Sequence, residues 1–374
     1  MNPSKRGTPD FILLALTILL VGFGILMVFS ASSPRAAHLL DDPLYFTKRQ
    51  IIWAILGTIC MLFLMNIHYT RWKKWFVPFF FGCVILLLLV LTRDPVNGAR
   101  SWLSIGNFGI QPSEFVKLAT ILYMAALIEK KGEAFRDLKK GLMPVVVIVG
   151  VVTGLIMLQP DFGTAMVFVM TTAIVIIAGG AHLKHIMVGA SLAAVCSFIL
   201  INLYLLITDG NDYRFQRIAT YLDPWHDPLG SGYNIIHSMY AFGHGGLTGA
   251  GFGQSIEKLF YLPFPYTDFI FSIIGEELGL IGTLLFLLTY LALLWRGIIV
   301  ALRCPDLFGS VVGVGIVSLL AIQALINIGG VSNAIPMTGV TLPFISYGGS
   351  SLLASMISMG ILLSISREVN RIGK

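Results

Sequence analysis

"TDFIFSIIGEELGLIGTLLFLLTYLALLW", running from Thr267 to Trp295, is the stretch on which the reading of this chain turns. From Leu278 to Trp295 it carries no charge. At the helical rise of 1.5 Å per residue, that part alone is about 27 Å long, close to the hydrocarbon thickness of a bilayer. Its head, however, carries Asp268, Glu276 and Glu277. Thr267 is expected to cap the helix and Asp268 to sit in its first turn, where a carboxylate gains about 0.3–1 kcal/mol against the helix dipole. Glu276 lies about 12 Å further along the axis. Glu276 and Glu277 are thus expected near the outer interface, as partners for basic groups or as catalysts. Asp268 is expected above them, in a cavity reachable from water.

The remainder of the chain repeats the apolar pattern. Of its 374 residues 56% are hydrophobic and only 12% charged, and the mean hydropathy is +0.85. A soluble domain is about one quarter charged, so this composition excludes an ordinary soluble enzyme. The first apolar run, Phe11–Ala31, exceeds the roughly 7–15 residues of a signal-peptide core, and many similar runs follow it. At about 20 residues per span, the chain reads as an all-α, polytopic membrane protein of about ten helices. These cover Phe11–Ala31, Gln50–Asn66, Trp75–Leu91, Ser113–Ile128, Leu142–Leu158, Phe162–Gly180, Ile186–Ile207, Asp268–Trp295, Phe308–Ile328 and Tyr347–Ser366. They form a single domain over residues 1–374. Cys60, Cys83 and Cys196 sit within apolar runs and Cys304 in a loop, so they read as packing residues and not as a disulfide framework.

Charge sets the orientation. The net charge is +6, and most of the 25 basic residues fall in alternate connecting segments. Lys5, Arg6, Arg71, Lys73, Lys74, Lys130, Lys131, Arg136, Lys139, Lys140, Lys184, Arg296, Arg303, Arg367, Arg371 and Lys374 share one side if the N-terminus is cytoplasmic. That bias places both termini in the cytoplasm and explains the positive charge without nucleic acid. One external connection, residues 208–267 between the seventh and eighth spans, is far longer than the others. Its mixture of aromatic, apolar and polar residues favours an ordered cap on the outer surface.

The unusual polar residues gather on the outer side. In "NGARSWLSIGNFGIQPSEFVK", Pro112 suits a first helical turn, and Glu114 and Lys117 lie three apart on one face. They read either as a helix-start acid with an ion pair or, at membrane depth, as functional charges. Asp161 in "LQPDFGTA" is an N-cap or a site residue. Arg214 and Arg217 stand outside against the charge bias, either solvated or as an anion site for phosphate. His237 and His244 lack zinc-ligand spacing, and the glycines from Gly243 to Gly253 follow no strand and precede no Gly-Lys-Ser/Thr, so neither a metal motif nor a phosphate loop is read here. "NIGGVSNAIPMTGVTLPFISYGGSS", with Ser332, Asn333, Ser346, Ser350 and Ser351, suggests a re-entrant backbone, tolerated at membrane depth only where buried or lining a cavity.

These stretches together resemble the SEDS family of bacterial cell-wall polymerases (FtsW, RodA and SpoVE). The resemblance rests on "GARSWLSIGNFGIQPSEFVK", "QPDFGTA", "RFQRIATYLDPWHDPLGSGYNIIHSMYAFGHGGLTGAGFG", "LPFPYTDFIFSIIGEELGLIG" and "GVTLPFISYGGSS", in family order along nearly the whole chain. The glycine-rich and "LPFISYGGSS" wording is nearer the FtsW and SpoVE branch. The resemblance implies a peptidoglycan glycosyltransferase acting on lipid II at the outer face of the bacterial cytoplasmic membrane. It implies a role in division, cell shape or spore-cortex synthesis, and a class B penicillin-binding transpeptidase as partner. The aspartate of "TDFIF", here Asp268, is the residue implied to be essential. Where the family often has an acid after "LP", this chain has Phe264, Pro265 and Tyr266, which bears on any use of a divalent cation such as Mg or Mn.

In the reaction so implied, a sugar hydroxyl attacks an anomeric carbon whose leaving group is a lipid pyrophosphate. A base must take the hydroxyl proton and cations must stabilise the leaving group. Asp268 is the expected base. Arg214, Arg217, Lys117, Glu114, Arg100, Ser346 and Ser350 are the expected substrate and pyrophosphate contacts, a bound divalent ion being an alternative holder. Asp161, Glu276, Glu277, His237 and Asn333 are expected to support the site. A lipid-linked precursor flippase or other transporter is the rival reading, although no internal repeat of the kind common in transporters is evident. A scaffold that positions a partner synthase is a third.

Overall fold

The computed structural model describes residues 7–94, 100–105, 108–182, 184–185, 187–189, 191 and 219–372. Arg214 and Arg217, and most of the expected seventh span, lie outside the described residues. The helices are α1 (Phe11–Leu40), α2 (Tyr45–Asn66), α3 (Phe76–Val90), α4 (Pro112–Lys131), α5 (Met143–Met157), α6 (Phe162–Ala178), α7 (Tyr233–Gly245), α8 (Ile270–Leu302), α9 (Leu307–Val331) and α10 (Gly349–Ile372). All but α7 fall on expected spans. Six segments are long and apolar enough to cross a membrane: α1, α2, Leu138–Met157, α8, α9 and α10; α3 and α6 are shorter apolar helices. The charge on Glu114, Lys117, Glu129, Lys130 and Lys131 keeps α4 from reading as apolar by composition.

Two differences from expectation have simple causes. Helix α1 continues through Pro34 to Leu40 and ends at Asp41 with φ 52°, because hydropathy marks where lipid ends and not where helix ends. The helical fold also carries a small antiparallel hairpin, β1 (Leu103–Ile105) and β2 (Phe108–Ile110), with Leu103 opposite Ile110. Strands of three residues are too short for alternation to be read from sequence.

Helix α9 forms the centre. In its most apolar window 83% of residues are buried, against 22% for α8, and it packs on α4, α6, α8 and α10. A helix apolar on every side requires such a position. Helix α10, equally buried, packs along α2, where a Cβ on Gly360 would lie 2.8 Å from the Met61 carbonyl. Small residues permit this close backbone approach between helices that have no hydrophobic effect to drive them together in lipid.

A polar chain runs through the apolar interior. Lys117, 2% exposed, donates from Nζ to Glu114 Oε1 (2.9 Å) and Gln323 Oε1 (3.1 Å). Gln323 Nε2 donates to the Thr341 carbonyl and to Thr341 Oγ1, each at 3.3 Å, and Thr341 Oγ1 donates to Ser351 Oγ (2.9 Å). Helices α4, α9 and α10 are thereby joined through side chains that would each be costly alone.

Helix α8 is broken at Gly279, which has φ 65° and ψ −170°. Only glycine occupies this region readily. The chain after α7 fills the break. Ala250 and Gly251 N–H groups donate to the Glu276 and Glu277 carbonyls (2.9 and 3.0 Å), while Leu280 and Ile281 N–H groups donate to the Gly246 and Leu247 carbonyls (2.9 and 3.1 Å). Groups that would have paired within the helix therefore pair with the loop, as backbone at membrane depth requires. The approach is so close that a Cβ on Gly279 would stand 2.2 Å from the Gly249 nitrogen.

Gly279→Ala is expected to cost about 2–5 kcal/mol from strain and overpacking, read as a lowered unfolding temperature of the purified protein in detergent. Gly150→Ala, whose added methyl meets nothing within 4 Å, should leave that temperature unchanged or raised. Lys117→Met should cost about 3–5 kcal/mol by stranding the Glu114 charge, and the double variant with Glu114→Gln should recover most of it in a double-mutant cycle.

Candidate active site

Asp268 lies two residues before α8, not in its first turn. The helix begins at Ile270 with Phe269 at the N-cap, and Thr267 Oγ1 donates to the Phe264 carbonyl (3.0 Å) instead of capping. The expected cap is thus corrected, and the reason lies in the preceding "LPFPY". Phe264 takes φ 52°, and the turn it makes draws the Thr267 N–H back to its carbonyl (3.1 Å). The carboxylate is thereby carried on irregular backbone ahead of the helix.

That backbone is held by neighbours at successive carbonyls. The Tyr347 N–H donates to Tyr266 O (2.8 Å), Ser346 Oγ donates to Thr267 O (2.7 Å), and Asn327 Nδ2 donates to Asp268 O (2.8 Å). Ser346 Oγ also accepts from the Leu342 N–H (2.8 Å), and Asn327 Nδ2 also donates to Val340 O (2.7 Å). The connection between α9 and α10 is thus a buried, non-helical strap clamped to the Asp268 segment, as a re-entrant backbone requires. Phe344 within it has φ 68°, a strained value for a large side chain.

Asp268 is half-buried and lines a small crevice of about 10 Å³, room for about one water, with Asn327, Val331, Met337, Thr338 and Gly339. Gly339 has φ +74°, and a Cβ there would come within 3.5 Å of Asp268 Oδ2. Among the described residues lining this cavity, Asp268 is the one acid. The start of α6 approaches the same strap, since a Cβ on Gly163 would meet the Thr338 carbonyl at 2.8 Å. Asp161 caps α6 by accepting from the Thr164 N–H (3.0 Å), and it also accepts from Gln111 Nε2 (3.3 Å).

The other expected site residues are distributed over several clusters. Ser346 is at the Asp268 segment. Ser350 ties the hairpin to α10, accepting from the Gln111 N–H (3.0 Å) and donating to Gly109 O (3.3 Å). Glu114 and Lys117 are engaged with each other and with Gln323 in the interior. Arg100 is exposed at the entrance to the hairpin, donating to Leu91 O (3.4 Å). Asn333 takes φ 56° just after α9 and donates to the Tyr221 carbonyl (3.5 Å).

Glu276 and Glu277, 0% and 1% exposed, sit at the α8 break. Glu276 accepts from Ser255 Oγ and from the Ile256 N–H (2.8 Å), with His244 Nδ1 at 3.6 Å. Glu277 Oε1 accepts from Lys258 Nζ (2.7 Å) and Ser30 Oγ (2.6 Å). His237 pairs through Nδ1 with Glu257 Oε2 (2.7 Å), and burial holds the Glu257 carboxyl above its usual range against the opposing pull of that imidazole.

Asn327, Gln323, Glu257 and Lys258 were not singled out from sequence. Asn327 and Gln323 were visible in principle, as polar residues four apart inside an apolar run. Nothing local marked Glu257 or Lys258, whose partners lie on other elements, His237 of α7 for one and Glu277 of α8 and Ser30 of α1 for the other. No group of three or more His, Cys, Asp or Glu side chains is placed to hold a metal among the described residues.

The sequence pattern of the cell cycle protein family FtsW/RodA/SpoVE matches residues 11–371. The chain is 47% identical to stage V sporulation protein E of Bacillus subtilis (strain 168), covering 97% of this chain and 98% of that one. It is 43% identical to the probable peptidoglycan glycosyltransferase FtsW of Trichlorobacter lovleyi, covering 98% and 95%. Among solved structures, a chain from a peptidoglycan synthase complex that coordinates polymerization and crosslinking superposes with a TM-score of 0.79 at 29% identity, over 96% of this chain and 98% of that one. The rod shape determining protein RodA of Thermus thermophilus gives 0.69 at 28%, over 96% and 97%. Matched from its first helix to its last in both sequence and fold, this multi-pass membrane protein belongs to the FtsW, RodA and SpoVE family.

Proposed function

We propose that this chain is a peptidoglycan glycosyltransferase that polymerises lipid II at the outer face of the bacterial cytoplasmic membrane, with Asp268 as general base. The observation that carries the assignment of the base is the placement of Asp268: a half-buried carboxylate on clamped, non-helical backbone, the one acid lining its cavity among the described residues. The relatives and the synthase complex named above support the activity. The family resemblance and that complex support a class B penicillin-binding transpeptidase as partner. The charge bias and the nine described helices on expected spans support ten spans with both termini cytoplasmic.

The chemistry follows from the geometry. The hydroxyl of the attacking sugar loses its proton to the Asp268 carboxylate as its oxygen bonds to the anomeric carbon. The bond from that carbon to the lipid pyrophosphate breaks, and the pyrophosphate leaves with the electron pair. A single base and direct displacement give inversion at the anomeric carbon. Asn327 is a positioning residue, since its amide joins the Asp268 and Val340 carbonyls and sets where the carboxylate stands. Arg214 and Arg217 are proposed to grip the leaving pyrophosphate by bidentate hydrogen bonding. Lys117 and Glu114 then serve the site by joining the helices that carry it.

Asp268→Asn should abolish glycan-chain formation from purified lipid II while leaving the unfolding temperature in detergent close to that of the parent. Normal polymerisation by that variant would remove Asp268 from the role of base. Asn327→Ala should lower kcat about 10- to 100-fold, the scale on which a displacement of about 1 Å slows a positioned reaction. In that variant KM should change much less, as measured with a range of lipid II concentrations.

A further inference from the structure

A second cavity lies away from Asp268 and shares no lining residue with its pocket. It has a volume of about 430 Å³ and opens between α1 and residues 252–259. Its walls are of two kinds. Phe29, Phe252, Ile256 and Leu259 are apolar and expose 36–50% of their surface. Ser30, Ser33, Gln254 and Lys258 are polar, and Ser30 and Lys258 are buried, at 4% and 5% exposure.

The polar side is built to meet a charged group. Lys258 Nζ donates to Glu277 Oε1 (2.7 Å) and Ser30 Oγ (3.0 Å), which uses two of the three hydrogen atoms of an ammonium. Glu277, almost fully buried, has Oε2 without a hydrogen-bond partner. Pro34 lines the cavity within α1 and has no N–H to offer the Ser30 carbonyl one turn back. Donors and acceptors are thus both present, and the Lys258–Glu277 pair carries no net charge.

The depth of the cavity points to its occupant. Phe29 is about 27 Å along α1 from Phe11, which places it where hydrocarbon gives way to headgroups. On α8, Leu280 and Ile281, hydrogen-bonded to the same loop, begin an exposed apolar stripe continuing through Leu284, Leu288 and Leu291. On α1 itself, Leu26, Leu19 and Ile12 continue the exposed apolar face of Phe29, so the cavity opens beside a lipid-facing surface. A ligand that enters sideways from lipid, with an apolar tail and a polar head, fits both walls.

We propose that this cavity binds one zwitterionic glycerophospholipid of the outer leaflet, with its phosphodiester at Lys258, Ser33 and Gln254 and an acyl chain against Phe29, Ile256 and Leu259. A zwitterionic head is favoured because Glu277 already neutralises Lys258, so an anionic head gains no net attraction. The leaflet rests on the orientation proposed above, whereas the site does not depend on the polymerase reading. The lipid would brace α1 against the loop that fills the α8 break.

The test is photolabelling of the full-length protein in proteoliposomes with trace phosphatidylethanolamine or phosphatidylglycerol bearing an acyl-chain diazirine. Labelled peptides are then mapped by mass spectrometry. The expected result is labelling of Phe29–Pro34 and Phe252–Leu259 above that of the α8 stripe, and more by phosphatidylethanolamine. Ser33→Trp, which fills the cavity, should lower that labelling about tenfold, a loss of about 1.4 kcal/mol of binding, with the α8 stripe unchanged. Gln254→Ala, an exposed position, should lower it in a protein with parental unfolding temperature. Asp268→Asn should label as the parent does, which separates this proposal from the polymerase reading. Undiminished labelling in Ser33→Trp, cavity labelling no higher than the stripe, preference for phosphatidylglycerol, or displacement of the label by a polyprenyl phosphate would each overturn the assignment.

Discussion

The hydrogen bonds that close the break in α8 are the constraint on which the half of this protein that carries Asp268 depends. A span interrupted at Gly279 leaves the carbonyls of Glu276 and Glu277 and the N–H groups of Leu280 and Ile281 without helical partners. Glu276 and Glu277 are buried from water, and each such main-chain group left unpaired would cost several kcal/mol. The chain from Gly246 to Gly251 takes all four. Residues 246–251 are registered on α8, and α7, immediately before them, is held by a hydrogen bond from Ser238 Oγ to the Val331 carbonyl.

The same break explains two of the three carboxylates at the head of α8. Glu276 and Glu277 lie where the loop enters, and they meet groups the loop brings: the Ile256 N–H and Ser255 for one, Lys258 for the other. Burying such charges is tolerable only because partners and N–H groups arrive together. Asp268 is treated differently. Its backbone carbonyl, with those of Tyr266 and Thr267, is consumed by Asn327, Ser346 and Tyr347, so the segment is immobilised through its main chain. A half-buried carboxylate on main chain held in this way suits the general base proposed above.

A division of labour follows between the interior and the outer surface. The Glu114–Lys117–Gln323 chain joins helices and involves none of the described groups around the Asp268 carboxylate. The strap from α9 to α10 converts that joining into a fixed geometry for the site, because Gln323 holds Thr341 on the same strap that Asn327 holds at Val340. Charges that appear alike in sequence, as isolated polar letters in apolar runs, therefore serve distinct purposes according to what packs against them.

Nearly all of the helical spans were legible from sequence, since about 20 apolar residues in lipid leave the backbone little choice but helix. Asp268 stood out because a carboxylate ahead of such a run needs a reason, and the resemblance in "TDFIF" supplied one. Asn327 and Lys258 did not stand out, because their importance lies in partners 59 and 19 residues away. The hairpin escaped notice because three-residue strands carry no period. Local sequence by itself determined the spans, their directional charge bias and the acid at the head of α8, for those depend on hydropathy and on chemistry carried by single residues. Only the tertiary structure decided that Gly279 breaks α8, that a loop repairs it, and that Asp268 precedes the helix on a clamped backbone. Those outcomes rest on hydrogen bonds between segments far apart in sequence, and no local propensity encodes which donor will reach which carbonyl.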